Sequence, residues 1–234
     1  MGLYSIGQRL GAEFLGTAML LATVIGSGIM GAKLSAGNDA LALLGNTLPT
    51  GAILVVLITV FGPVSGAHFN PAVSCVFWLR SEIGFRLGLF YVLAQVCGGL
   101  VGVAVAHVMF DLPLMQLATK VRTGSGQWFA EGVATFGLVL TILGTLRARR
   151  KAVAVNVGLY ITAAYWFTAS TSFANPAVTI ARAFSDTFAG IRGADVAPFI
   201  LAQLAGALLG MLVASQLFRP ALQTKTKTIQ AEQA

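Results

Sequence analysis

Apolar residues run along this chain in stretches long enough to cross a hydrocarbon core, which takes about 20 residues per helix. The runs predict spans at roughly 8–31, 40–61, 84–109, 127–147, 152–170 and 195–218. Two polar triplets interrupt the apolar pattern, Asn70-Pro71-Ala72 and Asn175-Pro176-Ala177, each followed by Val. Asn is a favoured helix cap, and Pro suits the first turn because its missing N–H would find no partner there. Each triplet therefore predicts the start of a short helix. Two such starts in matching places suggest broken helices whose N-termini converge near mid-bilayer. Six spans and two half-helices fill nearly the whole chain, which predicts one all-α integral membrane domain, 1–234, with a polar tail at 219–234.

Composition agrees with that setting. Hydrophobic residues make up 56% and charged residues 10% of the chain, and its mean hydropathy is +0.82. Soluble domains carry about 25% charged residues. The first apolar run is too long for a signal peptide, and Glu13 sits inside it. Cys75 and Cys97 fall in membrane-embedded segments and read as small buried hydrophobes. His68 and His107 lie far apart with no carboxylate or thiol at ligand spacing, so no metal site and no cofactor is expected.

The net charge of +7 is resolved by topology. Under a six-span arrangement, ten basic residues share one side, among them Arg9, Arg80, Arg86 and the Arg147–Lys151 cluster. Five lie toward the other: Lys33, Lys120, Arg122, Arg182 and Arg192. The positive-inside rule then puts both termini in the cytoplasm. The Arg147–Lys151 cluster, wedged between apolar spans without interleaved aromatics, reads as an anchor; no nucleic-acid partner is expected.

Three features recur in order in each half. Glu13 answers to Glu131, Asn70-Pro71-Ala72-Val73 to Asn175-Pro176-Ala177-Val178, and Ala94-Gln95 to Ala202-Gln203, at offsets of 118, 105 and 108 residues. Three spans per half is an odd number, so the second copy enters from the opposite face: an inverted repeat, about 8–109 and 127–218. Glu13 and Glu131 are charges within apolar helices, costly unless paired or solvated. The structural reading is that each carboxylate accepts hydrogen bonds from the re-entrant loop of its half, since lipid supplies no partners. A proton relay is the alternative, and no further acidic residue stands near to continue one.

The stretch Ser65-Gly66-Ala67-His68-Phe69-Asn70-Pro71-Ala72-Val73 resembles the first signature of the aquaporin family. The second Asn-Pro-Ala, the repeated Glu and the Ala-Gln-x-x-Gly-Gly pattern match as well, so the resemblance spans about 8–218. It implies six tilted helices plus two half-helices meeting at the two motifs, one pore per subunit, and usually four subunits together. It also implies passive conduction of water or small uncharged solutes in a cell membrane, with no enzymatic activity. On this resemblance Glu13, Glu131 and His68 support the loops. Asn70 and Asn175 can turn amide donors into the lumen once their oxygens cap backbone N–H groups. Exclusion of protons and cations in such pores comes from half-helix dipoles and a pore arginine.

The chain departs from that family at the narrow outer filter. Relatives usually carry Arg three residues after the second motif's Asn, where this chain has Val178. The resemblance places the other filter positions at Thr50 in the second span and Ser172 in the second loop. The fifth-span position falls on Ala163 or Tyr165, depending on the loop length assumed. A filter of Thr, Ser, Val and Ala or Tyr is wider and less charged than a water-only constriction. It predicts passage of glycerol, urea and undissociated arsenite or antimonite, and Val in place of Arg resembles a bacterial branch associated with arsenic handling. A leaky water pore and an ion-coupled transporter are the alternatives. Arg182, four residues after Val178, would either border the outer vestibule or serve the half-helix C-terminus, pairing with Asp186.

Overall fold

The computed structural model describes residues 3–219, and within these all regular structure is helical. Six long helices are α1 (Ile6–Leu34), α2 (Asp39–Ser65), α4 (Phe85–Met109), α5 (Ser125–Ala148), α6 (Val153–Phe167) and α8 (Gly193–Leu217). Two short ones, α3 (Pro71–Leu79) and α7 (Pro176–Arg182), begin at the prolines of the repeated triplets. The predicted spans therefore lie on helices, with one difference. The fifth span, expected over 152–170, is a helix of 15 residues after a single 3-10 turn at Arg150–Ala152. Five helices are long and apolar enough by themselves to cross a membrane, and α6 is the one that falls short. The chain leaves α6 at Phe167 and runs irregularly from Thr168 into α7. The tail beyond Arg219 lies outside the described residues.

Packing repeats with the sequence. Helix α1 lies against α4 and α2, while α5 lies against α8 and α6, and α2 meets α6 between the two sets. The α1–α4 and α5–α8 crossings are close because a glycine sits at each. A Cβ on Gly98 would strike the backbone oxygen of Phe14, and one on Gly206 the backbone oxygen of Gly132. Small residues at crossings let helices approach where no hydrophobic drive separates protein from lipid. Large apolar side chains such as Leu15, Leu93 and Leu201 face outward. So does Cys97, which sits beside inward-facing Gly98 and Gly99, and Cys75 is half-buried; the expectation of two buried cysteines is corrected.

Candidate functional site

The site grows from two re-entrant loops folded on one plan. Asn70 and Asn175 are the helix caps: the Asn70 side-chain oxygen accepts from Ala72 N at 2.9 Å, and that of Asn175 from Ala177 N at 3.0 Å and Val178 N at 3.3 Å. Each amide nitrogen then donates across to the other loop, Asn70 Nδ2 to Ala174 O at 2.7 Å and Asn175 Nδ2 to Phe69 O at 2.8 Å. A primary amide has two N–H groups, so one on each Asn stays uncommitted by these bonds. The two half-helices are thereby clasped end to end.

Both loops carry left-handed residues three and one before the Asn: Ala67 (φ 50°) and Phe69 (48°) in the first, Ser172 (50°) and Ala174 (47°) in the second. An L-residue there costs about 1–2 kcal/mol, and something must hold it. The buried carboxylates do. Glu13 accepts from His68 N (2.9 Å), Phe69 N (2.7 Å), Ser65 Oγ (2.6 Å) and Gln95 Nε2 (2.8 Å). Glu131 accepts from Phe173 N (2.9 Å), Ala174 N (2.9 Å) and Gln203 Nε2 (2.6 Å). Gln95 and Gln203 reach on to Ser74 and Thr179 of the half-helices, joining carboxylate, loop and helix in one network per half. The two glutamines were visible in the sequence as a repeat without a role. Two polar residues recurring in apolar helices of each half need partners, and each other is the nearest choice.

A cavity of about 860 Å³ runs between the halves. Its wall includes both cap asparagines, with Arg150 and Lys151 toward one mouth and Tyr165 and Arg182 toward the other. No carboxylate is among its lining residues, since Glu13 and Glu131 are fully buried behind the loops. His68 is a lining residue whose Nδ1 lies 3.0 Å from Ser74 Oγ and whose ring packs on Phe77 at 4.6 Å between centroids.

Sequence comparison adds a family to this geometry. The major intrinsic protein family matches residues 4–164 and again 148–234. This chain belongs to that family. It is 57% identical over 93% of its length to the aquaglyceroporin AqpS of Rhizobium meliloti, covering 93% of that protein. Human aquaporin-1 is 34% identical over 60% of this chain and 55% of its own. The X-ray structure of the aquaglyceroporin from Plasmodium falciparum superposes with a TM-score of 0.71 at 21% identity, covering 92% of this chain and 96% of that one, which is a likeness of fold. Family membership makes the protein a multi-pass membrane channel and not an enzyme.

The residues that the sequence resemblance proposes for a filter all line the cavity: Thr50, Ser172, Val178 and Tyr165. Of the two candidates on the fifth span, Tyr165 is buried with its hydroxyl 3.4 Å from Thr50 Oγ1, whereas Ala163 is exposed on the outer surface of α6. Arg182 differs most from expectation. It lines the cavity toward one mouth yet is only 1% exposed, with its guanidinium carbon 3.4 Å from the centre of the Phe173 ring and its Nε donating to Ala189 O. It does not pair with Asp186, whose carboxylate accepts from the backbone N and hydroxyl of Thr119, both at 2.9 Å. Those two bonds hold the Asp186 carboxyl below its usual range.

The segment 110–126, which by sequence alone is polar enough for a lid or a plain connector, packs along the end of α7. Ala118 N donates to Ala183 O at 3.0 Å and Arg192 N to Lys120 O at 2.8 Å. Arg122 donates to Gly190 O (2.9 Å) and Ser170 O (3.2 Å), with its guanidinium carbon 4.9 Å from the centre of the Phe173 ring. Lys120 is exposed, with its ammonium donating to Phe188 O at 2.8 Å, and desolvation of its amine first, then the charges of Arg122 and Arg182, pull its pKa down to about 8.

Proposed function

We propose that the protein is a passive channel for small uncharged solutes, including glycerol, urea and undissociated arsenite or antimonite, together with water. The observation that carries this reading is the wall of the 860 Å³ cavity beside the clasp: apolar surface interrupted by Asn70, Asn175 and the hydroxyls of Thr50, Tyr165 and Ser172. Hydroxyls and amides replace hydration hydrogen bonds of a neutral solute one at a time, and apolar wall accepts its carbon side. Val178 supplies neither charge nor bulk where relatives usually place an arginine, which favours solutes larger than water. In this reading Thr50, Tyr165, Ser172 and Val178 form the selectivity filter, and Glu13, Glu131 and His68 hold the loops. The two helix starts and the spare Asn donors face the lumen and oppose cations.

An ion-coupled transporter would carry its coupling carboxylate at the binding site. Here both intramembrane carboxylates are spent on loop backbone, away from the cavity. The channel would work as a homotetramer in the inner membrane, with both termini cytoplasmic as the ten-to-five split of basic residues favours. Stopped-flow measurements on proteoliposomes under glycerol, urea, arsenite and sucrose gradients test the reading. Solute entry should be unsaturable and of low activation energy. Saturation, or dependence on a proton or sodium gradient, would overturn it in favour of a transporter.

A further inference from the structure

We infer that Arg182 supplies the guanidinium of the filter from one helical turn beyond the usual place, and that with Ser172 it forms a binding subsite for a hydroxyl-bearing neutral solute. Arg182 stands four residues after Val178 on α7, so the two share a face. Side chains on a helix lean back toward its N-terminus and cover the turn before their own Cα. A long arginine on the last turn of α7 is therefore aimed back at the level of Val178. The contacts agree: the guanidinium carbon lies over the ring of Phe173, next in the chain to Ser172, with Tyr165 beside it.

Two donors at this level have nothing to bind. Arg182 Nη1 and Ser172 Oγ are both buried, line the cavity, and lack a hydrogen-bond partner among the described residues. An unmet buried donor costs about 1–3 kcal/mol, more when charged. Packing on Phe173, the bond to Ala189 O and the neighbouring Tyr165 hydroxyl hold the rest of the guanidinium, which leaves Nη1 open at the cavity wall. The partner has to come from the lumen. An oxygen of a solute accepts from Arg182 Nη1, and a neighbouring hydroxyl exchanges with Ser172 Oγ, which donates or accepts. Val178 is the apolar wall against the carbon side. The described ion pairs are Arg80–Glu82 and Arg192–Asp195, so the Arg182 charge is uncompensated by a carboxylate and repels cations.

This deepens the channel reading and rests on it. The test compares wild type, Arg182→Gln, Arg182→Lys and Ser172→Ala in proteoliposomes, reading the glycerol-to-water permeability ratio and sodium conductance. Arg182→Gln should lower the ratio about tenfold, the loss of one charged hydrogen bond, and Ser172→Ala about threefold. Arg182→Gln should also raise the sodium leak above that of wild type, although the helix starts and Asn donors still oppose cations, while Arg182→Lys keeps it at the wild-type level. A folded Arg182→Gln with the wild-type ratio and the wild-type sodium leak overturns the inference. If Arg182→Gln fails to fold, an unchanged ratio in Ser172→Ala overturns it alone. Wild-type protein that passes water but no glycerol removes the solute reading and the subsite together, whereas wild-type glycerol flux with Ser172→Ala unchanged removes only the subsite.

Discussion

In the first loop, His68 packs on Phe77 and Glu13 gathers four hydrogen bonds; in the second, Phe173 packs under Arg182 and Glu131 gathers three. His68 and Phe173 are equivalent by the offset of 105 residues, and so are Phe77 and Arg182. The same stacked pair thus closes each loop, with the polar member exchanged between loop and half-helix. The clasp, the left-handed residues and the carboxylate network are held in common, as the shared task of supporting irregular backbone at membrane depth requires. The stacked pairs flank the lumen toward opposite mouths and are where the halves diverge. Support is symmetric, and the proposed filter lies where symmetry is broken.

The largest expected effect tests the symmetric part. Glu13→Ala strands the N–H groups of His68 and Phe69 as well as Gln95 and Ser65, at about 3–6 kcal/mol in total. Glu131→Ala strands one donor fewer and should be somewhat milder. Denaturation of purified protein in detergent measures both, and a more damaging Glu131→Ala would show that the Ser65 bond contributes nothing. Next come the crossings: Gly98→Ala and Gly206→Ala should each cost about 1–3 kcal/mol through overpacking against backbone. Unequal losses there would mean that one half tolerates a shift that the other cannot.

Smaller effects belong to the asymmetric mouth. Val178→Arg adds a second cation near Arg182 and fills the wall, so glycerol flux should fall several-fold more than water flux. Equal reductions would deny Val178 any part in selection. The smallest concerns Lys120. Its folded pKa of about 8 lies below the unfolded value of 10.5, so the unfolded chain binds more protons between those pH values. Stability should therefore rise slightly as pH goes from 8 to 10.5. Lys120 is exposed and screened by solvent, which limits the gain to about 2 °C in melting temperature. Lys120→Met should abolish that slope, and a slope of opposite sign would contradict the desolvation of this ammonium.

The sequence by itself determined the spans, the two half-helices and their caps, because hydrocarbon thickness sets run length and Asn-Pro is a local signal needing nothing from afar. It also marked Glu13, Glu131, Gln95 and Gln203, since a polar residue in an apolar run stands out. Tertiary structure decided the rest. Whether Ala163 or Tyr165 faces the cavity depends on helix rotation: two positions apart they lie on different faces of α6, and packing buries Tyr165 while Ala163 faces out. The pairing of glutamines with carboxylates, and the contacts of Arg122 from a segment without periodicity, join residues dozens of positions apart. Arg182 lay between two readings in the sequence because a Cα position says little about a guanidinium on a long flexible stem. Only the packed Phe173 ring and the carbonyl of Ala189 fix where that charge comes to rest.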